Sequence, residues 1–347
     1  MIPTFQIPIF ASPSDDAAVE ARFARRRAWL DASLLSSVQQ IFEQVATDGD
    51  RAVLAATEKF DRVRLDSLRV SEAAIESAVR ELPPALRGAI DVAEERIARV
   101  NRRLVPKDEV VELEPGVRVG ELYRALDSVA LWIPCRKGPL LSTALMLVTA
   151  ARVAGVERIV ALMPPRSDGS ADPGTLAAAR LAGAQTCLVG NGVALIAAAT
   201  HGTATLPRVA GVFGPGPGGI AVAMGMAGMF GLKTVVGIGP TDCAVLADES
   251  ADPELVAWDL ASEAEHGADS ASLLVTPSAA LARAVAERLA LIIESAEPTR
   301  GAYLRRVFGA AGRGLLVATP TFDAACALAA RFAPEHLSIV CRPDRQA

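Results

Sequence analysis

From Ser128 to the end of the chain, short apolar runs alternate with longer segments of helical spacing. This alternation constrains the fold more than any other feature. The runs at Ser128–Ile133, Arg158–Met163, Thr186–Val189 and Ala210–Phe213 have the length of strands. Between them, Leu141–Ala154, Gly174–Ala182 and Val193–Thr200 repeat their apolar residues with a helical period. A second series follows. Strands are expected at Thr234–Ile238, Ala244–Leu246, Ser272–Val275, Leu315–Ala318 and Leu337–Val340, and helices at Pro253–His266, Ala279–Ser295 and Phe322–Phe332. Strands joined through helices pair in parallel and are covered on both faces, so they read as continuous apolar runs. The expected fold is therefore α/β, with two Rossmann-like, doubly wound parallel sheets in tandem. The last run, Leu337–Val340, is expected to be a buried strand.

The first third has a different rhythm. Asp15–Leu30, Ala32–Gly49, Arg51–Lys59 and Ala85–Leu104 read as helices, as does Glu72–Leu82 behind the N-cap residue Ser71. Val110–Leu113 and Val119–Leu126 read as a hairpin around Glu114-Pro115-Gly116-Val117. The expected organisation has three parts. Residues 1–126 form a helical segment and hairpin packing on the core. Residues 127–238 form a first Rossmann-like domain on the cofactor side, and residues 239–347 a second on the metal and substrate side.

Composition removes several classes of function. Net charge is −5 over 347 residues, with no basic stripe, which argues against a nucleic-acid partner. Mean hydropathy is +0.31, but the charge-free stretch near Val209–Leu232 is punctuated by glycines and prolines, so no membrane span is expected. The five cysteines (Cys135, Cys187, Cys243, Cys326 and Cys341) form no CxxC pair. The start of the chain also lacks a positive n-region. Both features suit reduced thiols in a cytoplasm.

Three constellations could carry chemistry. In Phe213-Gly214-Pro215-Gly216-Pro217-Gly218-Gly219, the residues Gly214, Gly216 and Gly219 satisfy G-x-G-x-x-G between a strand and a helix. Glycines there let a bare backbone approach a pyrophosphate at a positive helix end. The plain alternative is a sharp strand-to-helix turn. The second constellation is Glu263-Ala264-Glu265-His266-Gly267. Glu-x-x-His in the last turn of a helix can grip one metal ion, though zinc needs about four ligands. The alternative is an exposed acidic helix end beside a dipole-favoured imidazolium. The third is Pro334-Glu335-His336, placed in the connection between a helix and a strand. A carboxylate beside an imidazole is equipment for general acid–base work, and the alternative is a solvated turn. His201, which ends a helix before Gly202, reads as structural.

Taken together, the landmarks resemble the histidinol dehydrogenase family over nearly the whole chain. They run in order: Glu58-Lys59-Phe60-Asp61; Glu114-Pro115-Gly116-Val117; Leu131-Trp132-Ile133-Pro134 with Pro139 to Met146; Phe213-Gly214-Pro215-Gly216; Glu263-Ala264-Glu265-His266-Gly267-Ala268-Asp269-Ser270; and Pro334-Glu335-His336-Leu337. The resemblance implies a zinc-containing homodimer that oxidises the amino alcohol L-histidinol to L-histidine in two NAD-dependent steps. It assigns Glu335 and His336 to the acid–base pair, with the carboxylate activating water in the second step. It assigns His266 to zinc and to the substrate pocket, and Glu263 to a position where the family uses a glutamine ligand. Thr241 stands for a substrate-binding serine. On the cofactor side it points to Gly214, Gly216, Gly219 and Trp132, the last in place of a stacking tyrosine. Cys135-Arg136 replaces a Gly-Gly pair, Pro217 an asparagine and Ala194 a glutamine, so weakened NAD contacts are expected. The resemblance places the remaining zinc ligands, an aspartate and a histidine, in a tail beyond Ala347, so an incomplete zinc site is expected too. The alternative is a repurposed binding protein, or a metal-free acid–base enzyme on the same scaffold. The apolar Ala221–Leu232 segment suits burial against a partner subunit.

Overall fold

Two separate parallel sheets account for the alternation. The computed structural model describes residues 5–27, 32–216, 218–235 and 239–343. The chain begins with β1 (Ile9–Ala11) and α1 (Asp16–Arg27). These fold with the segment from Gly239 onward, while residues 32–238 build a unit of their own.

That unit opens with α2 (Ala32–Asp48), α3 (Asp50–Ala56), α4 (Glu72–Arg80) and α5 (Pro84–Leu104). A π-helical turn at Thr57–Asp61 extends α3. The Ser71 hydroxyl accepts from the Ala74 amide and starts α4 as its sequence implies. The hairpin β2 (Glu109–Glu114) and β3 (Val117–Glu121) comes next. Then β4 (Ser128–Trp132), α6 (Leu141–Val153), β5 (Arg158–Met163), α7 (Pro173–Ala182), β6 (Thr186–Val189), α8 (Gly192–His201), β7 (Gly211–Phe213) and α9 (Gly219–Met229) alternate. The strands pair in parallel in the order β6-β5-β4-β7. Val129, Leu131, Ile159 and Ala161 point to the face covered by α4 to α7, and α8 lies on the other face. Because the chain leaves β4 for β5 and returns on the far side to β7, the winding reverses between β4 and β7.

The other unit continues from β1 and α1 with β8 (Asp242–Ala247), α10 (Pro253–Ala264), β9 (Ala271–Thr276), α11 (Ala279–Ser295), α12 (Pro298–Phe308), β10 (Leu315–Ala318), α13 (Phe322–Phe332) and β11 (His336–Val340). Its strands are also all parallel, in the order β1-β10-β9-β8-β11. Val245, Leu274 and Leu316 pack under α10, α11 and α12, whereas Leu246, Leu273 and Val317 pack against Val19, Phe23 and Phe332 from α1 and α13. Buried Arg22 holds α1 in place by donating to the carbonyls of Gly314 at 2.6 Å and Ala310 at 3.1 Å.

Several expectations need correction. β3 ends at Glu121 rather than Leu126. In place of a strand at Thr234–Ile238 there is an isolated parallel bridge between Lys233 and Gly211, Thr234 and Val235 are irregular, and residues 236–238 lie outside the described residues. α10 ends at Ala264, which leaves His266 beyond the helix. β11 begins one residue early, at His336, and it is not buried: as the edge strand of its sheet it leaves Leu337 and Ile339 half exposed. Two elements lie outside the expected set: β1, which adds an edge strand beside β10, and α12. Among the described residues no helix is long and apolar enough to cross a membrane.

His201 is structural, as read. Its ring sits edge-on between Phe42 and Phe230, with centroids 5.8 and 4.8 Å away, and its Nε2 is buried without a hydrogen-bond partner. Burial first, and then neighbouring Arg208, push the imidazole below its ordinary pKa. The native state therefore favours neutral His201, while the unfolded chain takes up a proton near pH 6.5. Stability rises with pH through the window just below that value and is lost as pH falls through it. Urea midpoints taken between about pH 7.5 and about pH 5 are expected to fall less for His201→Gln than for the parent chain. Equal losses in both proteins would remove His201 from the account.

Candidate active site

The residues assigned to metal and substrate gather at the amino ends of β8, β9 and β11. Thr241 stands one residue before β8, Glu335 one residue before β11, and Asp269-Ser270 just before β9. The pairing brings them level. The Ala271 amide donates to the Thr241 carbonyl at 3.0 Å, and His336 lies opposite Cys243 in the ladder. The connection that carries the Glu-His pair is held by its backbone. α13 ends with Ala333 in the left-handed region (φ 48°), Pro334 follows, and the Glu335 amide then donates to buried Asp242 Oδ1 at 2.7 Å. A non-glycine residue in that region costs about 1 kcal/mol, so the turn is imposed by its surroundings.

The side chains of the pair are free of that grip. His336 Nε2 and Glu335 Oε1 lie 3.8 Å apart, and the two side chains are 58% and 59% exposed. His336 is the first residue of β11, which corrects its expected place in the connection. His266 sits in the turn after α10, exposed, with Nδ1 3.1 Å from the Glu263 carbonyl oxygen and 3.9 Å from Glu263 Oε2. Its partner Glu263 is half-buried at the end of the helix. Among the described residues no group of three or more His, Cys, Asp or Glu side chains is placed to hold a metal ion. Glu263 and His266 supply two candidate donors, whereas a zinc ion takes about four. Nearby Cys243 is buried, with Sγ 3.2 Å from Ser272 Oγ, and burial pushes its thiol up to about 11, so it stays protonated.

The glycine turn lies at the carboxyl ends of β4 and β7, at the reversal point of the other sheet. Gly214, Gly216 and Gly218 have φ of 151°, 154° and 58°. A Cβ on Gly214 would stand 2.3 Å from the Trp132 carbonyl oxygen, so only glycine lets the two strand ends approach. α9 opens at Gly219 with no side-chain cap on its amides. This bare backbone at an uncapped helix end fits the phosphates of a dinucleotide. Pro217 lies outside the described residues. Trp132 differs from its expected role. It is 5% exposed, and its ring fills the space over Gly192, so it packs against α8 rather than offering an open stacking face. Its Nε1 is buried and has no hydrogen-bond partner. Ala194 is buried inside α8.

Arg136 has a definite partner that the sequence did not reveal. Its guanidinium pairs with the carboxylate of Asp61, which is 1% exposed and also accepts from Asn191 Nδ2 at 2.8 Å. Asn191 in turn caps α8 through the Ala194 amide and donates its own amide to Thr57 Oγ1 at 2.8 Å. The π-helical turn, the start of α8 and the segment after β4 are thus tied through one carboxylate. Asp61 and Asp242 are the two positioning residues that sequence reasoning missed. The bonds they make span 130 and 93 residues, and no local spacing announces them.

A family model described as histidinol dehydrogenase matches residues 24–347. The histidinol dehydrogenase of Xanthomonas axonopodis pv. citri is 38% identical over 335 residues, covering 96% of this chain and 77% of the relative. That of Chlorobium chlorochromatii is 34% identical over 334 residues, covering 96% and 76%. The crystal structure of histidinol dehydrogenase from Elizabethkingia anophelis superposes with a TM-score of 0.87 at 28% identity, covering 98% of this chain and 76% of that one.

Removing the Asp242 carboxylate orphans the Glu335 amide. Asp242→Ala is expected to cost about 1–3 kcal/mol in urea unfolding. Asp242→Asn, which keeps an acceptor oxygen, is expected to lose less. Parental midpoints in both variants would show that the bond anchors nothing.

Proposed function

The chain belongs to the histidinol dehydrogenase family, and from that premise we propose that it oxidises a small amino alcohol, L-histidinol, with Glu335 and His336 as its acid–base pair. The family is NAD-dependent and zinc-binding in general. The observation that carries the reading is the anchored turn: Asp242 fixes the Glu335 backbone at 2.7 Å and leaves both side chains facing solvent beside Thr241. A pair with no structural duty and a rigidly held backbone is suited to meet a ligand.

In this reading Thr241 and His266 contact the substrate. His336 Nε2 takes the proton from the alcohol oxygen as the alcohol becomes a carbonyl. The Glu335 carboxylate, 3.8 Å away, stabilises the imidazolium that results. In the second oxidation Glu335 takes a proton from the water that adds to the carbonyl carbon. NAD, when bound, supplies the hydride acceptor for each step. Gly214, Gly216 and Gly219 would hold its phosphates through bare backbone and the amino end of α9. The pairing of Arg136 with Asp61 keeps that guanidinium engaged with the protein. The working form in this reading is a homodimer.

The test is histidinol-dependent formation of NADH by the parent chain and by Glu335→Gln and His336→Ala. A general acid–base role predicts losses of roughly a hundred- to ten-thousandfold in kcat with native circular dichroism. Full turnover in both variants would reduce the pair to a solvated turn.

A further inference from the structure

Among the described residues the hairpin β2–β3 is a two-stranded sheet that pairs with no other strand, and every residue in both of its strands is exposed. It is nevertheless patterned for burial on one side. Val111 pairs with Val119 and Glu109 with Glu121, so these residues share one face with Val117, and Leu113 sits beside them at the bulge. The opposite face carries Glu112 paired with Arg118, 3.7 Å apart, and exposed Val110 paired with Gly120. Four of its five apolar side chains, Val111, Leu113, Val117 and Val119, thus crowd to one face, the bias of a ribbon with one face packed and one solvated. A lone hairpin with its apolar face in water is marginal at best. The base of this one is held by Asp108, which accepts from the Tyr123 amide at 2.7 Å and from Arg124 at 3.2 Å. The ribbon is therefore presented at a fixed root with its apolar face open.

The same unit offers a surface of matching chemistry. On α5, Arg96, Val100 and Leu104 follow one another at i, i+4 spacing, flanked by Arg99 and Arg103, and all are exposed. This strip carries two apolar side chains, Val100 and Leu104, and is positive along one side, where Arg99 and Arg103 lie. The hairpin strands carry four carboxylates, Glu109, Glu112, Glu114 and Glu121, against one cation, Arg118. One chain thus displays an acidic apolar ribbon and a basic apolar strip. Two copies related by a two-fold axis satisfy both at once, because each gives a ribbon and receives one. We infer that the β2–β3 ribbon of one copy docks on the α5 strip of a second copy of this chain. The inference rests on the homodimer reading above and specifies its surface.

Light scattering and sedimentation equilibrium of the full chain at micromolar concentrations test it. Val111→Asp with Val119→Asp is expected to raise the dimer dissociation constant by about a hundredfold or more. Arg99→Glu with Arg103→Glu, on a different element, is expected to weaken it in the same direction. Adding Glu109→Arg and Glu121→Arg to the α5 pair restores opposite charges across the interface and should return the constant to within about tenfold of the parent. All of these positions are exposed in the isolated chain, so urea midpoints of the monomers should match. A dimer untouched by both the ribbon and the strip variants overturns this surface while leaving the homodimer reading intact. A parent chain that remains monomeric overturns both.

Discussion

Parallel pairing is the constraint from which the rest follows. A parallel strand cannot return through a tight turn, so every link within each sheet is a crossover that carries at least one helix. Each sheet therefore reverses its winding once, between β4 and β7 in one unit and between β8 and β11 in the other. Crevices form at the carboxyl side of such reversals. In the first unit the strand ends at that reversal carry bare glycine backbone at Gly214 and Gly216. The second fills the corresponding place with its own chain: buried Asp248 accepts from the Ser250 amide and hydroxyl at 2.9 and 2.5 Å and from the Arg342 amide at 3.1 Å. Its candidate residues lie at the opposite, amino edge.

That division was partly legible in the sequence. Strands Arg158–Met163, Thr186–Val189 and Leu315–Ala318 match the expected bounds, because past its first residue each is a continuous apolar run, the mark of a strand covered on both faces. β11 reads the same way and is nonetheless an exposed edge, since an apolar run does not say whether a neighbour covers it. α12 is hard to read from sequence because Arg300, Arg305 and Arg306 mask its apolar stripe. Its start signal was present all the same, in Pro298 at the first helical position behind Glu297, whose carboxylate accepts from the Thr299 and Arg300 amides. In the candidate site, Pro334-Glu335-His336 was legible as an interruption between two periodic segments. The bond from Asp242 that makes the interruption rigid joins residues far apart in sequence and could be seen only in the fold.

The buried thiols narrow the chemistry. Burial pushes Cys135 and Cys243 up to about 11 and Cys187 to about 12, so none offers a thiolate at neutral pH. Of the three histidines, His201 is committed to its aromatic cage. His266 and His336 remain as exposed imidazoles, and each has a glutamate beside it.

In the proposed reaction, the exposure of the Glu335–His336 pair sets what substrate binding would have to accomplish. At 3.8 Å, with more than half of each side chain in water, the two groups interact weakly, because solvent screens the charge and both side chains keep their rotamer freedom. Proton transfer needs contacts of about 2.6–3.2 Å and gains strength when water leaves. The scaffold has settled only the backbone, through the left-handed Ala333, the Pro334 turn and the Asp242 bond. Fixing the backbone while leaving the side chains loose concentrates the remaining ordering in a few torsions of two residues. A substrate that displaces water between them can set those torsions at the cost of two side chains rather than of a loop.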